Sequence, residues 1–137
     1  MPANSVQVTV WFNDPLLSMF LRFDEASNAM MPVFTWSVPC DRPDDLVVVE
    51  RLADDVFRLT NVDWDSLTEP RDRALARQYR VGNRLRSTSA GDVVQIGAHF
   101  LAVEHAGWRW ITEGMLNVVS SWDSPWHGDR VIESRVG

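Results

Sequence analysis

The first apolar pattern along the chain has a period of two. Val6, Val8, Val10 and Phe12 alternate with Gln7, Thr9 and Trp11, and their β-branched enrichment predicts a strand. Asn13-Asp14-Pro15 breaks it, with Asp14 placed to cap a helix and Pro15 suited to its first position. Leu16, Leu17, Met19, Phe20, Leu21 and Phe23 are too densely apolar for periodicity to separate helix from strand over 15–23; the cap selects a short helix. After a loop or helix tail over 24–31, Val33 to Val38 predicts a second strand, closed by Pro39. Asp41-Arg42-Pro43-Asp44-Asp45 then reads as a helix start with acids in the first turn, where the helix dipole favours negative charge. Leu46, Val49, Leu52, Ala53, Val56 and Phe57 recur at spacings of three and four and mark the apolar face of the main helix. Asn61, which tolerates the left-handed conformation, is its expected C-terminal cap.

A connector over 62–69 carries Trp64, and Pro70 opens a shorter helix with Leu75 and Tyr79 on one side and Gly82 as its stop. The densest turn chemistry lies between Tyr79 and Trp110. Ser89-Ala90-Gly91-Asp92 predicts a tight turn, with a glycine free to take positive φ and an Asp able to bond its own backbone. Val93, Val94 and Ile96 follow as a strand, Gly97-Ala98 as a reversal, and Phe100 to Glu104 as the antiparallel partner. Ala106-Gly107 turns the chain again into Trp108 to Ile111. Glu113 to Val119 reads as a helical turn, 120–128 as a turn-rich loop holding Trp122 and Trp126, and Val131-Ile132 as a last edge strand. The expected fold is α+β: one domain over 1–137, a small antiparallel β-meander packed against a main amphipathic helix and shorter helices.

Composition narrows the class. Of 137 residues, 45% are hydrophobic and 23% charged, ordinary for a globular protein, and no apolar run reaches membrane-spanning length. The first residues show no basic region followed by an apolar stretch, so the expected location is cytoplasmic, with no membrane partner. Cys40 is the only cysteine, which allows no intramolecular disulfide and agrees with a reducing compartment. The net charge of −6 is unevenly placed: acids dominate from Asp41 to Glu69, and Arg71, Arg73, Arg77, Arg80, Arg84 and Arg86 oppose only Asp72 beyond them.

Chemistry is sought next. His99, Glu104 and His105 are the only candidate metal ligands; on one strand the two histidines would stand about 20 Å apart, too far to share an ion. Cys40 has an acidic neighbour that disfavours a thiolate, and Ser87, Thr88 and Ser89 have no evident His base. Asp54 and Asp55 diverge by about a hundred degrees on a helix, so they form no acid–base pair by themselves. No catalytic residue, metal or cofactor is therefore expected. Seven tryptophans are the richer signal, since Trp anchors many protein interfaces although most Trp also fill core edges. The candidate partner surface comprises Trp64, Trp108, Trp110, Trp122 and Trp126, with Arg73, Arg77, Arg80 and Arg84 as a ridge that fixes orientation or, on the blander reading, a solvated helix face.

From about Phe34 to Ile111 the chain resembles the YodL-like domain family of phage, plasmid and bacterial proteins. The likeness rests on Val56-Phe57-Arg58-Leu59-Thr60-Asn61, Tyr79-Arg80, Gly82-Asn83-Arg84, Arg86-Ser87-Thr88-Ser89-Ala90-Gly91-Asp92-Val93-Val94 and Ala106-Gly107-Trp108. Thr88 and Ala90 stand where relatives carry an apolar residue and Val, and Leu85-Arg86 follows Arg84 where many run straight into Ser. The resemblance implies an α+β fold and carriage on mobile elements, and it brings no catalytic residues. The expected function is a non-enzymatic module that binds a host protein; the alternative is a nucleic-acid binder, or an acidic DNA mimic that counters a host DNA-binding or defence factor.

Overall fold

The alternation of Val6, Val8, Val10 and Phe12 is realised as β1 (Ser5–Asn13) in a computed structural model that describes residues 4–120. β1 lies between β2 (Met30–Pro39) and β3 (Val93–Ile96), antiparallel to both. β4 (His99–Val103) and β5 (Trp108–Ile111) complete the meander, so five strands form one sheet in the order β2-β1-β3-β4-β5. The meander thus finds its support first within its own sheet, through pairs such as Val8 with Ile96. Gly97 (φ 59) and Gly107 (φ 83) supply the left-handed residues of the two hairpin turns.

Both faces of the sheet are covered, which explains the nearly continuous apolar run of β3 and β4. On one face α2 (Leu46–Asn61) packs Val49, Ala53 and Val56 onto Val8, Val10, Phe12, Val94, Ile96 and Leu101. On the other, Phe23 and Met30 join Val93, Phe100, Ala102 and Ile111, with Met115 and Leu116 packed against them. The segment after β5 makes the expected helical turn over Glu113–Met115 and then meets Met30: its N–H donates to Asn117 O (2.8 Å), and Val119 N–H donates to Met30 O (2.9 Å). Pro32 has no N–H with which to continue this parallel ladder. The expected edge strand at Val131-Ile132 lies outside the described residues.

Several local expectations are corrected. Asp14 and Pro15 do cap and open α1 (Pro15–Ser18), but the helix is a single turn, because Met19 and Phe20 take left-handed φ values of 55° and 56°. Two such residues cost on the order of 1–3 kcal/mol each. Ser18 helps to fix them by accepting Phe20 N–H at Oγ and Leu21 N–H at its carbonyl. Pro43 lies outside α2, whose cap is Asp45, accepting from the N–H groups of Val47 and Val48; no acid follows in the first turn. Asn61 closes α2 without a left-handed turn, through a side chain bonded to Phe57 O and Thr88 Oγ1. α3 (Pro70–Arg77) passes into a wider five-residue turn over Gln78–Gly82, so the helical path stops at Gly82 as expected, and the left-handed residue beyond it is Arg84 (φ 55°). The Val-rich α2 loses only a few tenths of a kcal/mol per Val in propensity, whereas full burial of Val49 and Val56 contributes about 1.5–3 kcal/mol each.

Candidate functional site

Two constellations stand out, and they do different things. The first gathers eight of the residues on which the family resemblance rests, Thr60, Tyr79, Arg80, Arg86, Ser87, Thr88, Ser89 and Asp92. Arg86 donates from Nη1 to Asp92 Oδ2 (2.6 Å) and from Nη2 to Oδ1 (3.0 Å), and its guanidinium lies 3.9 Å from the centre of the Phe12 ring. Asp92, almost fully buried, also accepts the N–H groups of Asn13 and Ser89. Burial alone would lower the Arg86 pKa, but the charge and hydrogen bonds of Asp92 outweigh it and hold the guanidinium above its usual value. Tyr79 donates to Arg86 O (2.6 Å), Arg80 to Thr60 O and Ser87 Oγ, and the hydroxyls of Thr60 and Thr88 meet at 2.8 Å. These bonds tie the ends of α2 and α3 to the turn before β3. Apart from Arg86 Nε, which is buried without a hydrogen-bond partner, their polar groups are spent on one another, so the cluster is a scaffold.

The second constellation is open to solvent. Trp108 and Trp110 lie two apart on β5, on the face of the sheet that α2 covers, and β5 is an outer strand among the described residues. Trp108 Nε1 donates to Asp54 Oδ1 (2.7 Å), and the Trp108 ring meets Phe57 edge to face, with centroids 6.3 Å apart. Trp110, 39% exposed, meets His99 edge to face, and His99 Nε2 lies 3.4 Å from Asp44 Oδ1. The stripe of α2 facing β5 is Leu46, Glu50, Asp54 and Phe57, with Val47 beside it. Leu46 and Val47, 54% and 68% exposed, line one hollow with Trp110, and Phe57, 38% exposed, lines the next with Trp108; Asp54 borders both. Leu46 and Phe57 were expected on the buried face; the buried stripe is instead Val49, Ala53, Val56, Leu59 and Thr60.

The predicted partner surface is therefore divided. Trp108 and Trp110 come together. Trp64 joins a separate small cluster with Leu59, Leu67 and Ala76, and Arg77 lies 5.2 Å over its ring. Trp122 and Trp126 lie outside the described residues. The arginine ridge is interrupted, because Arg80 turns inward to Thr60 and Ser87, while Arg73, Arg77 and Arg84 stay exposed. Among the described residues no salt bridge joins the acidic block to Arg71–Arg84; the ion pairs are Arg42–Asp45, Arg58–Asp55, Arg86–Asp92 and the His99–Asp44 contact.

Exposed apolar side chains also occur on and after α1, at Leu16, Met19, Phe20 and Leu21. A hollow of about 320 Å³ between α2, α3 and β2 is lined by Trp36, Val38, Leu52 and Leu75, and its mouth mixes Asp55, Glu69 and Asp72 with Arg58 and Arg71. The described residues hold no group of three His, Cys, Asp or Glu side chains able to bind a metal ion. No helix among them is long and apolar enough to cross a membrane. Compared with known proteins, the chain matches no protein-family model, no curated protein and no solved structure. The likeness to YodL-like domains accordingly rests on the quoted residues. What sequence reasoning missed in the surface is its α2 half, Leu46, Val47 and Phe57. The usable signal was the surplus of apolar residues on α2, more than one stripe can bury.

Proposed function

We propose that this protein is a non-enzymatic binding module that captures a protein partner on the surface formed by β5 and α2. The observation that carries this reading is the exposed apolar group Leu46, Val47, Phe57 and Trp110 beside an outer strand. Trp is among the residues most enriched at interface anchors, and here it stands beside exposed apolar side chains of α2 and the carboxylates of Glu50 and Asp54. The setting we propose is the cytoplasm of a bacterial cell, with the gene carried on a phage or plasmid and the partner a host protein, as the family resemblance implies. The second reading, an acidic imitation of DNA, draws on the carboxylates of α2 that no arginine of the basic block neutralises.

Affinity capture from a bacterial lysate by the wild-type chain and by Trp110→Ser tests this reading. A stoichiometric protein that survives nuclease treatment and is lost with Trp110→Ser is the expected result. Capture that is unchanged in the variant contradicts the assignment of the surface. Capture that vanishes with nuclease or modest salt moves the function to nucleic acid.

A further inference from the structure

We propose that the outer edge of β5 accepts an extended, basic segment of the partner as a sixth strand. This rests on the binding-module reading and names the chemistry of its partner. The argument starts from main-chain bonds one strand away. Val103 N–H donates to Asp92 O and Val103 O accepts from Gly91 N–H, so the peptide groups of Val103 point toward β3. Trp108 stands opposite Val103, and Trp110 opposite Leu101, two residues along the same ladder. In an antiparallel ladder the peptide groups of such a pair point away from each other. Those of Trp108 and Trp110 therefore face the outer edge, where the described residues place no further strand.

The side chains beside that edge set what fits. Two hollows, of about 410 and 130 Å³, flank β5 on the α2 side; Trp110, Leu46, Val47 and Glu50 line one, Trp108, Phe57 and Glu104 the other, and Asp54 borders both. Side chains two apart on an added strand are about 6.8 Å apart, the same spacing as Trp108 to Trp110. An apolar side chain suits the wider hollow, with cations on either side. Asp44, Glu50, Asp54 and Glu104 border this region against Arg51. Trp108 Nε1–H engages Asp54 without neutralising it. The same charge disfavours a second copy of this chain. Antiparallel pairing of two β5 edges would place both α2 helices on one face and bring their carboxylates together.

The test uses the full chain, isotope-labelled, with amide hydrogen exchange read at Trp108 and Trp110. The probes are the blocked peptide Ser-Arg-Ser-Val-Ser-Arg-Ser, its counterpart with Glu in place of Arg, and the Arg peptide N-methylated at alternate residues. With free Arg peptide at about ten times its Kd, exchange at both tryptophan amides is expected to slow about tenfold. The Glu and N-methylated peptides are expected to leave it unchanged, and Glu50→Arg to weaken the Arg peptide at least fivefold. Equal protection by the Glu peptide, no protection by the Arg peptide, or amides already protected in the free chain would each overturn the proposal. Capture that still depends on Trp110 while the Arg peptide protects nothing would remove strand addition alone. Capture indifferent to Trp110 would remove the binding-module reading beneath it.

Discussion

Arg86 and Asp92 hold the centre of the scaffold, the one half-buried and the other buried, each on the strength of its partner. The Asp92 side chain is only 2% exposed and that of Arg86 26%. Removing one partner of a buried pair leaves an uncompensated charge, at a cost of about 3–5 kcal/mol. Arg86→Met is therefore expected to lower unfolding stability by about that much in urea, and Arg86→Met with Asp92→Asn by clearly less. Tyr79 gives a pH signature. Burial first, and the charge of Asp92 second, push its phenol far above the ordinary value of 10.0, while Arg86 and Arg80 act in the opposite direction. Below about pH 10 the folded and unfolded states both keep the proton, and the contribution is complete. Above it the unfolded chain loses the proton and the folded chain does not, so stability falls by up to about 1.4 kcal/mol per pH unit. The chain has one tyrosine and no lysine, and the difference between wild type and Tyr79→Phe in urea unfolding on either side of that pH isolates the effect, which the variant is expected to abolish. At this scale the turn residues Gly91 and Asp92 were legible. The pairing of Asp92 with Arg86 was not, because it spans six residues across a turn whose path only tertiary packing sets.

Elements were legible where a single period governed them. β1, β2 and the three strands of the meander followed from alternation and glycine-bearing turns, and Pro70 opened α3 as its position implied. The orientation of α2 was harder to read. Its apolar residues fill two adjoining stripes, and spacings of three and four fit both, so only the position of the sheet decides that Val49, Ala53 and Val56 are inside. The ends of helices were similarly ambiguous. Asp44 and Asp45 are both competent caps, and the structure uses Asp45. Asp45→Ala is expected to cost about 1 kcal/mol in thermal or urea unfolding. Gly91 carries a sharper constraint, since its φ is 97° and a Cβ there would lie 2.7 Å from Ser18 Cβ, which joins the β3 turn to the strained loop after α1. Gly91→Ala is expected to cost more than about 1 kcal/mol, measured in the same way.

At the scale of the whole molecule, the α+β class and the meander were legible, but the union of the strands was not. Val8 pairs with Ile96 across most of the chain, and no local pattern announces so distant a partner. That pairing makes β5 an outer strand beside α2, and so turns two tryptophans named from the sequence into one surface with Leu46, Val47 and Phe57. Elsewhere the exposed Arg73, Arg77 and Arg84 lie on and beyond α3, with Arg77 beside the exposed Val81. The two regions make opposite demands on a partner, the first apolar and acidic, the second cationic. The most direct measurement is a photo-crosslinking side chain placed at Val47 in one full-length variant and at Val81 in another, each exposed to lysate with nuclease. A protein adduct from position 47 and none from position 81 is the predicted result; adducts from position 81 alone would contradict a binding surface on β5 and α2.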